Sequence, residues 1–369
     1  VKKTMIWFIG ALLLLTSCAP NMNEEEVVQE KESNSNEEQA IVPSYQLSED
    51  NYKMILPFKP GKARGVIVTQ VANRLDIDEV EEGLRRHSKS VFDPKKHLFQ
   101  EGQYIDEETV IEWIDALNPK KKEGAPEKYH RENPRYLSHI LEQNYLVKKD
   151  DNTVSLAGVS IGIAMKSTYQ FQTETGGPTY EEDISKSEMM KQANKIANKL
   201  LEDIRKIEGL ENVPIMMAIY REEDQSSPVP GNFVAKTNIP ADSSSVGEWD
   251  SIKEKYVLFP SEEGKEDYFE DHELVTNFGK EIASYFPNYV GVVGEGFYVN
   301  DELQKMTLEI PIEFYGKGEV VGFTQYAYGL VQEMFSDHYG LEVKITSSDK
   351  LESIIYRNPG SKKPTVNIL

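Results

Sequence analysis

The chain has 369 residues, of which 39% are hydrophobic and 10% aromatic, enough apolar material for one large or two medium domains. Its formal charge of −21 opposes electrostatic attachment to nucleic acid or to anionic lipid headgroups, so no nucleic-acid partner is expected. With one cysteine in the whole chain, an internal disulfide framework is excluded.

The N-terminus reads as a leader. Lys2 and Lys3 precede the uncharged run Met5 to Leu15, the size of a secretory apolar segment and well short of the roughly 20 residues that span a bilayer. Leu15, Thr16 and Ser17 then stand directly before Cys18. That order resembles a bacterial lipoprotein signal, in which residues 1–17 are cleaved and the cysteine becomes the first mature residue. Only a thiol can take a diacylglyceryl group as a thioether, and cleavage frees an α-amine for a further acyl chain such as palmitate. Two or three chains hold a protein stably on a membrane where one does not. The alternative is an ordinary signal peptide with an accidental cysteine. On the lipidated reading the partners are the membrane, through the anchor, and the lipoprotein-processing enzymes.

Residues 18–50 follow as a lipidated N-terminus and tether. From Asn21 to Gln46 glutamates dominate and Lys31 is the sole cation, so like-charge repulsion and low hydrophobicity predict disorder. A flexible coil of that length would hold the body roughly 25–30 Å from the membrane.

The body is predicted to be α+β, made of two similar halves at 52–225 and 230–369. In the first, Val154 to Met165 reads as a strand, Ser187 to Glu208 as a helix capped by Ser185 or Ser187 and stopped near Gly209, and Val213 to Tyr220 as a buried strand. In the second, Lys305 to Tyr315 reads as a strand, Phe323 to Tyr339 as a helix, and Leu341 to Thr346 as a strand. Acid-rich helices are predicted upstream, at Ile77 to Ser90, Asp106 to Leu117 and Asp267 to Phe286. The recurring strand, helix, strand order suggests a duplicated unit, divided at the proline-containing break Gln225 to Gly231.

Motifs for chemistry are weak. Gly158-Val159-Ser160-Ile161-Gly162 spells the nucleophile elbow of α/β-hydrolases, but that turn needs a helix after the serine, and here strand-like sequence continues. A serine hydrolase using Ser160 is the less favoured alternative. Ser347 to Lys350 fits S-x-x-K without the triplets that accompany it, and His272-Glu273 lacks the second histidine of a zinc helix, Thr276 standing in its place. No cofactor, metal site or catalytic residue is assigned. Aromatic residues such as Phe297, Tyr298, Tyr315, Phe323, Tyr326 and Tyr339 are expected mostly in the core; a groove between the halves lined by some of them would suit a peptide or cell-wall ligand.

The run Arg64 to Ile105, the later run Phe286 to Leu303, the leader and the acidic segment together resemble the CamS family, the sex-pheromone-precursor lipoproteins of Gram-positive bacteria. The resemblance implies a lipid-anchored, extracytoplasmic protein on the outer face of the cytoplasmic membrane, and with the catalytic motifs this weak the body is read as non-enzymatic. It also implies that the leader is processed to a short apolar signalling peptide, for which Ala11, Leu12, Leu13, Leu14, Leu15, Thr16 and Ser17 are the candidate residues.

Overall fold

The computed structural model describes residues 25–31, 37–43, 47–48, 51–64, 73–122, 124–149, 153–348 and 350–369. Cys18 and the candidate peptide 11–17 lie outside them. Among the described residues no helix is long and apolar enough to cross a membrane. The architecture is α+β, as predicted, with two mixed sheets each carrying helices.

Strands β1 (Glu25–Lys31) and β2 (Glu37–Pro43) pair as an antiparallel hairpin, and β1 also runs parallel to a later strand. This departs from the predicted disordered tether. Its physical reason is on the second strand: Ala40 and Val42 are buried against Ile55, Leu146 and Val154, while Ile41 and Leu56 exchange two backbone hydrogen bonds of 2.8 and 2.9 Å.

Next come β3 (Lys53–Met54), β4 (Asn73–Arg74) and helix α1 (Ile77–Ser88). Asp76 caps α1 by accepting from the Glu79 amide, and Arg85, Arg86 and His87 sit in its last turn, where the helix dipole favours cations. Strand β5 (Leu98–Glu101) leads to α2 (Glu107–Leu117), capped by Asp106, and to the short α3 (Glu127–Glu132). The long strands β6 (Leu137–Lys148) and β7 (Thr153–Met165) pair antiparallel. A small ribbon, β8 (Thr168–Phe171) with β9 (Tyr180–Asp183), precedes α4 (Lys186–Ile204). Ser185 caps α4, and its apolar stripe, Met189, Ala193, Ile196, Ala197, Leu200, Leu201 and Ile204, is wholly buried.

Strand β10 (Ile215–Arg221) returns parallel to β7. Its residues alternate between two cores: Ile215, Met217 and Ile219 face α2 and α4, whereas Met216, Ala218 and Tyr220 face α1. Burial on both faces is why IMMAIY reads as a continuous apolar run. After β11 (Glu223–Asp224), which pairs with β4, strands β12 (Asn232–Ile239) and β13 (Asp250–Ser251) extend the first sheet beyond β10. The chain therefore passes to the second sheet after Ser251, and the predicted boundary at Gln225 to Gly231 is corrected. Those prolines and the glycine mark a turn inside the first unit.

The second sheet consists of β14 (Glu254–Phe259), β15 (Val293–Val299), β16 (Glu302–Pro311), β17 (Gly340–Ser347), β18 (Lys350–Arg357) and β19 (Thr365–Ile368), in that order. Helices α5 (Glu262–Asp267) and α6 (Phe269–Ala283) separate β14 from β15, and α7 (Lys317–Met334) connects β16 to the parallel β17. Helix α7 begins six residues before the predicted start because Gly318 and Gly322 dilute the pattern, yet Val320 on its first turn is buried. One face of this sheet packs on α6 and α7, and the other carries cross-strand ion pairs such as Lys305 with Glu342 at 3.1 Å.

Both sheets run through one series of pairings. From β5 to β13, and again from β14 to β19, neighbours are antiparallel, antiparallel, parallel, antiparallel, antiparallel. Helix α1 has no counterpart in the second unit and lies against both.

Candidate functional site

Open α/β sheets place ligands outside the carboxyl ends of parallel strands. At the carboxyl end of β10 and the amino end of α4 lies a groove of about 540 Å³, closed on its far side by β14 of the second sheet. Lys186 opens α4 there, Arg221 ends β10, and Pro228-Val229-Pro230 forms an apolar wall. Lys255 pairs with Glu263 across the mouth, and Arg221 lies 3.7 Å from Glu223. Tyr256 is the only aromatic side chain among its described lining residues, so the predicted aromatic groove between the halves is not what the fold builds. Neither histidine nor cysteine lines it among the described residues. The arrangement offers alternating charges beside a short apolar wall, which suits an extended polar chain better than a stacked ring.

Beneath the groove, α1 is fastened to the second sheet. The Arg86 guanidinium donates to both oxygens of Glu254 at 3.2 Å and to Glu79 at 2.8 Å, and His87 Nε2 lies 3.0 Å from Glu254. Arg86 also stacks over Phe297, 4.7 Å from the ring centroid. Glu254 has 2% of its side chain exposed. Burial alone would push its carboxyl up, but the closely apposed His87 ring and the Arg86 charge hold it below the usual range. Glu79 goes the other way, raised by burial against the Arg86 charge, and Tyr256, raised by burial and then by Glu79, hydrogen-bonds to it.

Directly after β10, Glu222 is fully buried, and neither carboxylate oxygen has a hydrogen-bond partner. The nearby Ser138 hydroxyl is likewise unpartnered, although it is close enough to favour the Glu222 anion. Burial pushes the Glu222 carboxyl up to about 7 and the Lys166 ammonium down to about 8.

The motifs named from sequence resolve as structure. Ser160 sits mid-strand in β7, 0% exposed, and shares a 2.6 Å hydrogen bond with Ser88 Oγ of α1. No sharp turn presents it to a substrate. The flanking glycines are there for packing: a Cβ on Gly158 would lie 2.3 Å from Phe92 and 2.9 Å from the Pro214 carbonyl. Gly158→Ala is therefore expected to cost about 1–3 kcal/mol by overpacking, seen as a lower urea midpoint with an unchanged slope. Lys350 is engaged by Glu352 at 3.0 Å, which also pairs with Lys317 at 2.8 Å. His272 lies on α6, and no group of acidic, histidine or cysteine residues suited to a metal occurs among the described residues. Of the named aromatics Tyr298, Phe323 and Tyr339 are core and Tyr326 packs partly buried against it, whereas Tyr315 is 88% exposed. Residues that motif reading missed are Arg86, His87 and Glu254; the basic last turn of α1 was the available signal, but its partner is 168 residues away.

Comparison with known proteins gives one consistent family. A solved structure of a sex pheromone precursor from Lactobacillus salivarius subsp. salivarius UCC118 is 30% identical, superposes with a TM-score of 0.81, and covers 88% of this chain and 98% of its own. The C-terminal domain of the sex pheromone staph-cAM373 precursor from Staphylococcus aureus is 27% identical, with a TM-score of 0.69 over 79% of this chain and 96% of its own. No curated protein matches. The family model described as CamS sex pheromone cAM373 precursor matches residues 58–363, and on that span the chain belongs to the CamS family.

Proposed function

We propose that the chain is the precursor of a lipid-anchored protein of the outer face of the cytoplasmic membrane, with Cys18 as the acylated residue and a non-catalytic body. The observation that carries this reading is the position of Cys18, directly after Leu15-Thr16-Ser17 and the apolar run, in a chain of the CamS family. The segment Ala11 to Ser17 is uncharged in its side chains and strongly apolar, which fits a short signalling peptide released from the leader. The body acts by binding, through the groove between the sheets, and its ligand is an extended peptide or cell-wall fragment. The alternating charges and the short Pro228-Val229-Pro230 wall along that groove support binding of an extended chain. The repeated series of strand pairings supports two copies of one ancestral unit, with α1 added as the joint.

Cys18→Ala tests the anchor. The wild-type protein is expected in the membrane fraction with a diacylglyceryl cysteine as its first residue by mass spectrometry, and the variant as unprocessed or shed protein. The heptapeptide is expected in the supernatant of the wild type alone. A variant that still fractionates as a mature, anchored form overturns the assignment.

A further inference from the structure

A second cavity, separate from the groove, lies between α1 and the β5–β6 edge of the first sheet. Its volume is about 110 Å³, against the roughly 30 Å³ share of one water in the liquid, so it takes a molecule of a handful of heavy atoms. Its wall is apolar where Phe99, Ile105 and Leu141 contribute, and charged along one stripe of α1.

That stripe is Ile77, Glu81 and Arg85, three residues at four-residue spacing and so on one helix face. The other carboxylates at the cavity are already engaged. Glu101 accepts from the Gly61 amide and from Arg64, each at 2.6 Å, and Glu142 accepts from the Gln103, Tyr104 and Ile105 amides. Glu81 and Arg85 form no ion pair with another described residue. The Arg85 guanidinium instead lies over Phe99, 5.4 Å from the ring centroid, a pose that leaves its N–H edge for a carboxylate. His139 also lines the cavity, with only 4% exposure, and its Nδ1 has no hydrogen-bond partner. A buried polar atom of that kind marks a place where a further polar group belongs. Burial, and after it the Glu101 charge, raises the Glu81 carboxyl, a strain that a bound cation would relieve.

We propose that this cavity is a binding site for a small zwitterion, an α-amino acid with a short apolar side chain. Arg85 takes its carboxylate, Glu81 its ammonium, and the Phe99–Leu141 wall its side chain, with His139 Nδ1 supplying a further hydrogen bond. The anchor and the interdomain groove play no part in this assignment, so either can fail without it.

The test is isothermal titration of the intact protein with glycine, L-alanine, D-alanine and L-valine, beside butylamine and butyrate, which each carry half of the charge pattern. Saturable binding of at least one of the amino acids is expected, with both half-ligands at least about tenfold weaker. Glu81→Gln and Arg85→Gln should each weaken that binding by about tenfold or more while circular dichroism stays unchanged. Lack of saturable binding by any of the four amino acids overturns the proposal, as does equal binding of either half-ligand. Should either variant fail to fold, the comparison of ligands on the unmodified protein still decides it.

Discussion

Glu254→Gln is expected to lower the unfolding free energy by about 3 kcal/mol, the scale seen when one partner of a buried ion pair is removed. The substitution keeps the shape but withdraws the negative charge from the Arg86 guanidinium at 3.2 Å and from the His87 ring at 3.0 Å. Arg86 retains Glu79, at 2.8 Å, and the face of Phe297, so the loss should not exceed that scale. Because the pair joins α1 to β14, the expected structural effect is loosening between the two sheets, with each core intact. Urea unfolding at pH 7 measures the first effect and small-angle scattering the second. A change below about 1 kcal/mol would show that solvent reaches the pair and screens it as at an exposed site. The pH sense follows from the depressed carboxyl of Glu254: its contribution is present above the unfolded carboxylate value of about 4.3 and is lost as pH falls through the lower folded value.

Glu222→Gln should do the reverse and stabilise the protein at pH 8 by about 1–3 kcal/mol. Glu222 is 0% exposed with both oxygens unpartnered, and its carboxyl is pushed up to about 7. Between the unfolded value of about 4.3 and that folded value, the native state holds more protons than the unfolded chain, so stability falls as pH rises through the window. Above it the anion must sit in a dry site with Lys166 as its offsetting charge. A neutral amide removes that cost and can donate to the unpartnered Ser138 hydroxyl. Glu142, also raised to about 7, contributes its own slope to both proteins, so the difference between their stability profiles from pH 5 to 8 isolates Glu222. A variant no more stable than wild type at pH 8 would mean that the native carboxylate is solvated after all.

The contrast between those two glutamates shows what local sequence carries. The α4 stripe, the double-sided run of β10 and the cap at Ser185 were legible because each depends on spacing within one element. Glu222 and Glu254 look alike in sequence, since their fates depend on what arrives from elsewhere: no hydrogen-bond donor and only the charge of Lys166 for the first, Arg86 and His87 from 168 and 167 residues upstream for the second. The break at Gln225 to Gly231 misled for a related reason. Prolines and glycines report that a segment bends, and a bend serves equally to leave a sheet or to fold back into it as β12. The hairpin was hidden because few apolar residues stand among glutamates, and their burial depends on Ile55, Leu146 and Val154. The open pair Glu81 and Arg85 had a visible four-residue spacing, but an exposed salt bridge along a helix would look identical.

The β1–β2 hairpin also sets how the protein would stand on a cell. Six residues, Ala19 to Glu24, separate Cys18 from β1, and fully extended they reach about 20 Å. Strand β1 joins β7 in parallel at Thr153 and Val154, so an acyl chain on Cys18 would be rooted off the amino end of β7. The 13 residues of β7 then rise about 40 Å before the sheet ends at Arg221 and the groove. Were Cys18 acylated as proposed, the groove would open at the end of the sheet farther from the lipid, and molecules from the wall would meet that opening before they met the bilayer.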